Sequence, residues 1–375
     1  MKKFLSTLTL ITIVGILGVY SSNQFEISLL TCSSGKETFS AWGHSALRVT
    51  DKTANIDVVY NFGIFNFNTP NFYGKFVKGR LNYQLGIQDT YSFYKNYELE
   101  NRQIIEQKLN ISQEDKIKII SRLQYLSKPQ NKYYLYRFAG RNCTTELRDL
   151  IFKNISTDFE TTETETTIRK RLNEFLKGRL WLKFSMSLIM GYQIDKEIDS
   201  YESMFLPDDL SRALDTINVG EESLVEKNTI FNQVLDPYKT SYPKLANPIF
   251  TFLLILIFVI LFKYQLAQNS VLFITGLIGL FILLVSVITE HPELQYNLNL
   301  LWLNPVYIFM AFKFNSRPKL KIRLVYIIQT LIIVMIPIWI FKVQYFELSY
   351  LLLAITLTIY NLRILFPEKK LSLIK

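Results

Sequence analysis

The sequence predicts an α+β domain outside the cytoplasm, followed by an all-α bundle of five transmembrane helices. Five apolar runs fill the C-terminal third, at about 248–262, 271–289, 297–312, 322–341 and 348–366. Each run approaches the roughly 20 residues that a helix needs to cross a bilayer. The chain begins with Met1-Lys2-Lys3 and an uncharged apolar stretch that ends near Tyr20, which is typical of a secretory signal peptide. The part between mixes charged, aromatic and turn residues, as water-soluble domains do.

These patterns divide the chain into four parts. Residues 1–22 form a signal peptide or an uncleaved signal anchor, and residues 23–246 form the extracytoplasmic domain. Residues 247–366 form the membrane domain, and residues 367–375 form a cytoplasmic tail. The second part is long enough to bury one substantial core.

The distribution of basic residues predicts how the helices cross the membrane. Lysines and arginines cluster in the loop after the third run and in the tail, at Lys313, Arg317, Lys319, Lys321, Arg323, Lys369, Lys370 and Lys375. Because cytoplasmic loops are enriched in these residues, both segments belong inside, and the loops near 290–297 and 342–347 belong outside with the first domain. The net charge of +10 is thus mostly a topology signal and does not indicate a nucleic-acid partner.

Two short strand patterns, at 45–49 and 56–62, predict a β-hairpin near the start of the domain. Closing the polar loop at 50–55 pairs Val49 with Ile56 and gives one apolar core face. The opposite face then pairs His44 with Asn61, Ala46 with Val59 and Arg48 with Asp57. Further along, residues 98–126 predict two charged amphipathic helices that divide near Asn110.

A cysteine nucleophile with a histidine base is the main candidate site. The chain has two histidines, and the first, His44, lies about a hundred residues before Cys143. Asn142 is a favourable cap for a helix over about 144–154, which places Cys143 in the first turn. A helix N-terminus and a nearby imidazolium both lower the pKa of a thiol.

The third member of this arrangement has two candidates. Asn61 is the preferred group to orient the His44 imidazole, because the predicted register places it directly opposite. Asp57 is the other candidate to orient the imidazole, although Arg48 already faces its carboxylate in the predicted register. The alternative interpretation treats His44 as a structural histidine and Cys143 as a small buried side chain. A disulfide between Cys32 and Cys143 is also open, since two lone cysteines in an exported domain often pair.

Two further regions have functional and structural interpretations. The aromatic residues at 62–83 are typical of a core. The alternative is a groove for an acyl chain, with Lys75, Lys78 and Arg80 facing phosphate head groups. His291, at the outer end of the second run, is a candidate to bind a lipid head group or to dock the first domain. Its alternative is an ordinary interfacial loop anchored by Trp302. The spacing of histidines and cysteines predicts no metal site.

Four motifs of the first domain resemble the Lnb N-terminal periplasmic domain family. They are Leu29-Leu30-Thr31-Cys32, Gly43-His44-Ser45-Ala46-Leu47-Arg48-Val49, Val59-Tyr60-Asn61-Phe62-Gly63 and Asn142-Cys143-Thr144-Thr145-Glu146-Leu147-Arg148-Asp149. The resemblance extends into the membrane part through Glu290-His291-Pro292 and residues 299–305. It implies a circularly permuted papain-like fold of the NlpC/P60 superfamily, in which the histidine precedes the cysteine. In this family, linked to lipoprotein N-acylation, His44 and Cys143 match the base and the nucleophile.

This chemistry predicts an enzyme that forms a thioester on Cys143. The thiolate would take an acyl chain from a phospholipid and pass it to the N-terminal amine of a lipoprotein, while His44 moves the protons. The expected partners are therefore the phospholipid donor, the lipoprotein acceptor and the membrane. No cofactor is expected. The expected location is the bacterial inner membrane, with the soluble domain on the periplasmic side. The alternatives are an exported cysteine peptidase or amidase that acts on cell-wall peptides, and a non-catalytic envelope scaffold.

Overall fold

The computed structural model describes residues 25–234, 247–262, 264–312 and 318–366. The predicted signal segment, the tail, Lys313 and Arg317 lie outside the described residues. The chain forms two compact units. The first contains 25–68, 82–162 and 200–234, and the second contains 69–81, 163–199 and the chain from 247 onward. Two segments that the sequence assigns to the extracytoplasmic domain therefore belong to the unit of the C-terminal helices.

The first unit is a mixed structure built on a seven-stranded antiparallel sheet. Its larger strands are β1 (Phe25–Cys32), β2 (His44–Asp51), β3 (Ile56–Ile64), β4 (Asn82–Asp89), β5 (Ile104–Leu109) and β6 (Tyr133–Leu135). The short β7 (Asn218–Val219) and β8 (Glu222–Ser223) pair with each other, and β9 (Val225–Phe231) completes the sheet. The strand order is β6-β4-β3-β2-β1-β5-β9.

Seven helices of the described part of the chain lie between these strands in sequence. They are α1 (Phe72–Lys78), α2 (Thr90–Leu99), α3 (Gln113–Leu126), α4 (Cys143–Phe152), α5 (Ile168–Phe175) and α6 (Leu180–Ile189), followed by α7 (Pro207–Leu214) before β7. Of these, α1, α5 and α6 belong to the second unit.

The β2–β3 hairpin forms, but its register differs by two residues from the predicted one. Val49 pairs with Val58 rather than with Ile56, because β2 continues to Asp51. The Asp51 carboxylate accepts hydrogen bonds from the backbone of Thr53 at 2.8 Å and of Ala54 at 3.1 Å, which closes a tighter turn than the sequence predicts. Since side chains alternate with a period of two, this shift leaves every residue on its predicted face.

Both faces of the central strands are buried, whereas the prediction assigned the core to one face. Ala46 and Val59 are fully buried and pack with Leu30, Cys32 and Phe93. Residues 104–109 were also predicted wrongly as part of a helix. This segment forms β5, which is hydrogen-bonded to β1 on one side and to β9 on the other. Pairing along both edges outweighs a local helical pattern.

The second unit contains four longer apolar helices, α8 (Pro248–Leu261), α9 (Gln265–Ile288), α11 (Pro318–Ile340) and α12 (Leu348–Leu365), and the short α10 (Tyr307–Ala311). Among the described residues three helices, 265–288, 319–340 and 348–365, are long and apolar enough to cross a membrane, while α8 is shorter. Their core is rich in aromatic side chains, including Trp302, Tyr307 and Tyr350.

The third predicted span, 297–312, is not a continuous helix. It consists of a 3-10 turn at Leu298–Leu301, irregular backbone and α10. The side chain of Asn297 accepts from the backbone of Asn299 at 2.9 Å, and that of Asn304 accepts from Val306 at 3.0 Å. Asparagine side chains that bind nearby backbone amides compete with helical hydrogen bonds, which explains the interruption.

This irregular segment packs directly on α9, through two glycines. A Cβ atom on Gly279 would lie 1.9 Å from the carbonyl oxygen of Leu303, and one on Gly276 would lie 2.5 Å from the nitrogen of Ile308. The segment therefore runs antiparallel to α9 at backbone contact distance. Trp302 is fully buried in it and donates to the Asn299 side chain at 3.0 Å, so it packs inside the protein rather than anchoring an interfacial loop, as the alternative interpretation of the His291 region held.

Candidate active site

Asn142 fixes the start of α4 and therefore the position of Cys143. Its side-chain oxygen accepts from the amides of Thr144 at 2.8 Å and Thr145 at 2.9 Å, and the Thr145 hydroxyl accepts from the Asn142 amide at 2.8 Å. The side-chain nitrogen of Asn142 donates to the carbonyls of Phe138 at 2.8 Å and Phe205 at 3.0 Å. This capping box holds the thiol at the positive end of the helix.

His44 lies between Asn61 and Cys143. The Nε2 atom of His44 is 2.7 Å from the Oδ1 atom of Asn61, and the imidazole is close enough to the Cys143 thiol to lower its pKa. Because Asn61 occupies Nε2, the nitrogen left for the thiol is Nδ1. The two-residue shift makes Asn61 a diagonal rather than a direct neighbour of His44, and its amide still reaches the ring.

Gly63 lies against Cys143 and His44, the candidate dyad. It has a φ of +92°, and a Cβ atom there would lie 3.5 Å from the Cys143 Cβ and 3.8 Å from the His44 Cε1. A positive φ favours glycine, and the missing side chain leaves the dyad uncovered on this side. The sequence includes Gly63 in a family motif but gives no sign of this contact.

The electrostatics favour a thiolate–imidazolium pair. Burial disfavours the charged thiolate, but the charge and hydrogen bond of His44 outweigh it and lower the pKa of Cys143 from 9.0 to about 7. Burial likewise opposes the imidazolium, but the Cys143 thiolate and the Asn61 amide raise the pKa of His44 above its ordinary value. A backbone hydrogen bond from Ser45 and one from the Thr144 hydroxyl also favour the thiolate.

A buried hydroxyl pair joins the strand that carries His44 to the helix that carries Cys143. Ser45 follows His44 on β2, and its hydroxyl lies 3.1 Å from that of Thr144 on α4. Neither residue is exposed to solvent. Since each hydroxyl is next in sequence to a dyad residue, this contact sets the separation between His44 and Cys143.

Cys32 is close to the dyad but chemically different. It pairs across strands with His44 and is fully buried, and burial raises the pKa of its thiol to about 12. Both cysteines are free thiols in the structure, so the alternative of a disulfide between them is not found. Among the residues that the structure describes, no group of three histidine, cysteine or acidic side chains is placed to hold a metal ion.

Asp57 and Arg48, predicted as auxiliary residues, lie in a separate ion-pair network. Arg48 binds Asp57 at 2.7 Å and Glu106 at 3.1 Å, and Thr90 donates a hydrogen bond to Asp57. The carboxylate of Asp57 is therefore engaged away from the imidazole, and Asn61 is the group that contacts His44. This network connects β2, β3 and β5 on one face of the sheet.

His291 belongs to the second unit and binds α1. Its Nε2 atom is 3.0 Å from the carbonyl oxygen of Phe76. The two preceding residues bind the next two carbonyls, since the Thr289 hydroxyl donates to Val77 at 2.8 Å and the Glu290 amide donates to Lys78 at 3.1 Å. His291 therefore attaches a helix that the sequence assigns to the extracytoplasmic domain.

Two tyrosines interact electrostatically with Cys143, and no sequence pattern links either of them to it. Tyr83 on β4 and Tyr134 on β6 pair across strands with ring centroids 6.5 Å apart. Burial and the charge of Cys143 raise the pKa of Tyr83 to about 12, and the same two causes raise the pKa of Tyr134. The Tyr134 hydroxyl is buried and has no hydrogen-bond partner among the described residues.

A row of aromatic rings continues from Tyr83 to the surface of the first unit. Phe65 lies 5.1 Å from Tyr83, Phe67 lies 4.9 Å from Phe65, and Phe39 lies 6.4 Å from Phe67. Phe39 is 65% exposed. The aromatic run of the sequence is therefore divided, because the rings on α1 belong to the second unit.

Two protein-family models match the chain. The Lnb N-terminal periplasmic domain matches residues 16–174, and the Lnb transmembrane domain matches residues 240–371. The first match includes His44, Asn61 and Cys143, and the second includes His291. No curated protein and no solved structure matches the chain.

Proposed function

The chain belongs to the Lnb family, whose periplasmic and transmembrane domains it carries in that order, and from this premise we propose that it is a membrane-bound thiol acyltransferase. It moves an acyl chain from a phospholipid to the N-terminal amine of a lipoprotein. The arrangement of Cys143 at a helix N-terminus, beside a His44 imidazole that Asn61 binds, carries this proposal. It supplies a nucleophile, a base and an orienting amide, as acyl transfer through a thioester requires.

In the first half-reaction the Cys143 thiolate attacks an ester carbonyl of the phospholipid. The carbonyl oxygen becomes an oxyanion, and collapse of this intermediate breaks the bond between the acyl carbon and the glycerol oxygen. The His44 imidazolium gives its proton to that oxygen, so a lysophospholipid leaves as an alcohol. The acyl chain then remains on Cys143 as a thioester, and His44 is neutral.

In the second half-reaction the neutral amine of the lipoprotein attacks the thioester carbon. His44 takes the proton that the nitrogen loses, and the thiolate of Cys143 leaves. The products are an amide on the lipoprotein and the original thiolate–imidazolium pair. Asn61 keeps the imidazole in one orientation through both steps, because its Oδ1 atom binds the proton on Nε2.

Two donors are placed to stabilise the oxyanion. Asn142 occupies the amides of Thr144 and Thr145, so within the first turn of α4 the amide of Cys143 itself is the one directed at an attached acyl group. The Tyr134 hydroxyl is a second donor, because it is buried near Cys143 and has no partner among the described residues. Preorganised donors of this kind contribute most in a site that excludes water.

The membrane part supports a lipid substrate and the proposed orientation. In the second unit, the loops that the charge pattern places outside contact residues 163–199 from the extracytoplasmic domain. Gly191 donates to the carbonyl of Glu293 at 2.8 Å, and Lys183 binds Glu347 at 2.9 Å. We place these contacts on the periplasmic side of the inner membrane. The irregular segment beside α9 makes the third of five crossings, and the first unit has the permuted papain-like topology.

The deciding experiment is the mass of lipoprotein N-terminal peptides from cells that lack the native gene and express this chain. The Cys143→Ala variant is expected to yield peptides that lack one acyl group, while Cys32→Ala retains it. Cys32→Ala is a matched control because it removes the other thiol of the chain. Identical lipid masses in wild type and Cys143→Ala would refute acyl transfer, and altered cell-wall peptides in that variant would instead indicate a peptidase or amidase.

A further inference from the structure

Helix α1 is attached to the C-terminal end of α9 by consecutive residues. Thr289, Glu290 and His291 bind the last three carbonyls of α1, and Arg80 adds an ion pair with Glu290 at 2.6 Å. All of these residues belong to the second unit. The position of α1 therefore follows from the position of the end of α9.

The end of α9 lies at the level of lipid head groups. This helix has 24 residues, and at 1.5 Å per residue it extends about 36 Å, which exceeds the roughly 30 Å hydrocarbon thickness. One side of its last turns is not covered by the rest of the protein, since Leu284 is 52% and Val287 is 73% exposed. Such apolar side chains are suited to contact with lipid, and α1 is attached just beyond them through Thr289 and His291.

The outer side of α1 has the composition of a membrane interface. Tyr73 is 76% exposed and Phe76 is 42% exposed, and they lie three residues apart on one side of the helix. Lys75 and Lys78 are the basic residues of its last turn. Aromatic side chains concentrate at the head-group level of membrane proteins, and lysines extend their ammonium groups toward phosphates there.

We propose that α1 is a phospholipid-binding surface, in which Tyr73 and Phe76 enter the lipid interface and Lys75 and Lys78 bind the phosphate. The occupant is a glycerophospholipid of the outer leaflet of the same membrane. The attachment of α1 at the end of α9 and the exposed apolar and basic side chains of α1 carry this assignment. It does not depend on the acyl-transfer chemistry, and Cys143→Ala leaves it unchanged.

The first test compares two tyrosines of equal exposure. Tyr73 is 76% exposed on α1, and Tyr91 is 77% exposed on α2 of the first unit. The full-length Tyr73→Trp and Tyr91→Trp variants are placed in nanodiscs with brominated phospholipid, and the wild-type fluorescence is subtracted. The added fluorescence of Tyr73→Trp is expected to be quenched by the bromolipid, and that of Tyr91→Trp by aqueous iodide. If iodide quenches the added fluorescence at both positions and bromolipid quenches it at neither, the proposal is overturned.

The second test measures the phosphate contact. Native mass spectrometry of the full-length protein in detergent with added phosphatidylglycerol gives the lipid-bound fraction. Lys78→Gln is expected to weaken lipid binding about fivefold, as the loss of one basic residue near anionic lipid predicts. Lys153→Gln, which removes an exposed lysine of the first unit, leaves binding unchanged. Equal weakening by both variants, or by neither, refutes a specific role for Lys78.

Discussion

The effect of His44 on the Cys143 thiol predicts an inversion of reactivity with pH. Replacing His44 with alanine removes the charge and hydrogen bond that lower the thiol pKa, so the pKa rises from about 7 to at least the ordinary 9.0. At pH 7 the ionised fraction of the thiol then falls from about a half to about 1%, a roughly fiftyfold loss. The more basic thiolate is also intrinsically about eightfold more nucleophilic.

These two effects oppose each other, and their balance depends on pH. At pH 7 the loss of thiolate is larger, so His44→Ala is expected to react with iodoacetamide at least about sixfold more slowly than wild type. Near pH 11 the Cys143 thiol is largely ionised in wild type and in the variant. The variant is then expected to react up to about eightfold faster. The crossing of the two rate profiles distinguishes a pKa effect from a simple loss of access.

The assay is alkylation of the full-length protein in detergent, followed by mass spectrometry of the peptide that contains Cys143. Cys32 is an internal control, because it is fully buried with a pKa of about 12 and stays unmodified unless the protein unfolds. In the Asn61→Ala variant the apparent pKa of Cys143 is also expected to rise, but by less than in His44→Ala. Equal apparent pKa values in wild type and His44→Ala would refute the ion-pair argument.

Four further variants test other parts of the structure. Asn142→Ala is expected to lower the free energy of unfolding by about 1–2 kcal/mol through loss of the cap, and unchanged thermal stability would contradict this. In Gly63→Ala a side chain is added at a positive φ, which is expected to cost about 1 kcal/mol of stability. The added methyl group also contacts Cys143 and His44, so most acyl transfer is expected to be lost. A fully active variant would refute the functional importance of this contact. Tyr134→Phe is expected to preserve or raise stability while reducing acyl transfer on the order of a hundredfold, and unaltered turnover excludes it as an oxyanion donor. Gly279→Ala is expected to destabilise the second unit by about 1–3 kcal/mol in detergent, which unchanged unfolding would disprove.

The sequence predicts the local geometry around Cys143 and His44, because the determinants of that geometry are local. The Asn142 cap is a short-range pattern, and it places Cys143 in the first turn of α4 as expected. The face shared by His44 and Asn61 depends only on the period of a strand, which tolerates the two-residue shift in register. The relation of these residues to Tyr134 depends on pairing between β4 and β6, which no local pattern encodes.

The errors occur where distant parts of the chain determine local structure. Residues 104–109 form a strand because partners lie on both sides, although their own pattern favours a helix. The run at 297–312 has the mean hydropathy of a span, but asparagine side chains within it bind the backbone. Hydropathy averages over a window and does not register such turns. His291 was placed correctly at a helix end, while its partner Phe76 lies more than two hundred residues away.

The two glycines of α9 have a consequence for how the protein is made. A stretch without continuous helix exposes backbone amides and carbonyls, which have no partners in hydrocarbon, so the segment at 297–311 has no stable position in lipid by itself. Helix α9 satisfies its own backbone and can insert first. In the proposed topology, Gly276 and Gly279 then provide the flat surface on which the later segment completes its structure. In this topology, helix α9 and the segment at 297–311 must therefore leave the insertion machinery together, as one hairpin.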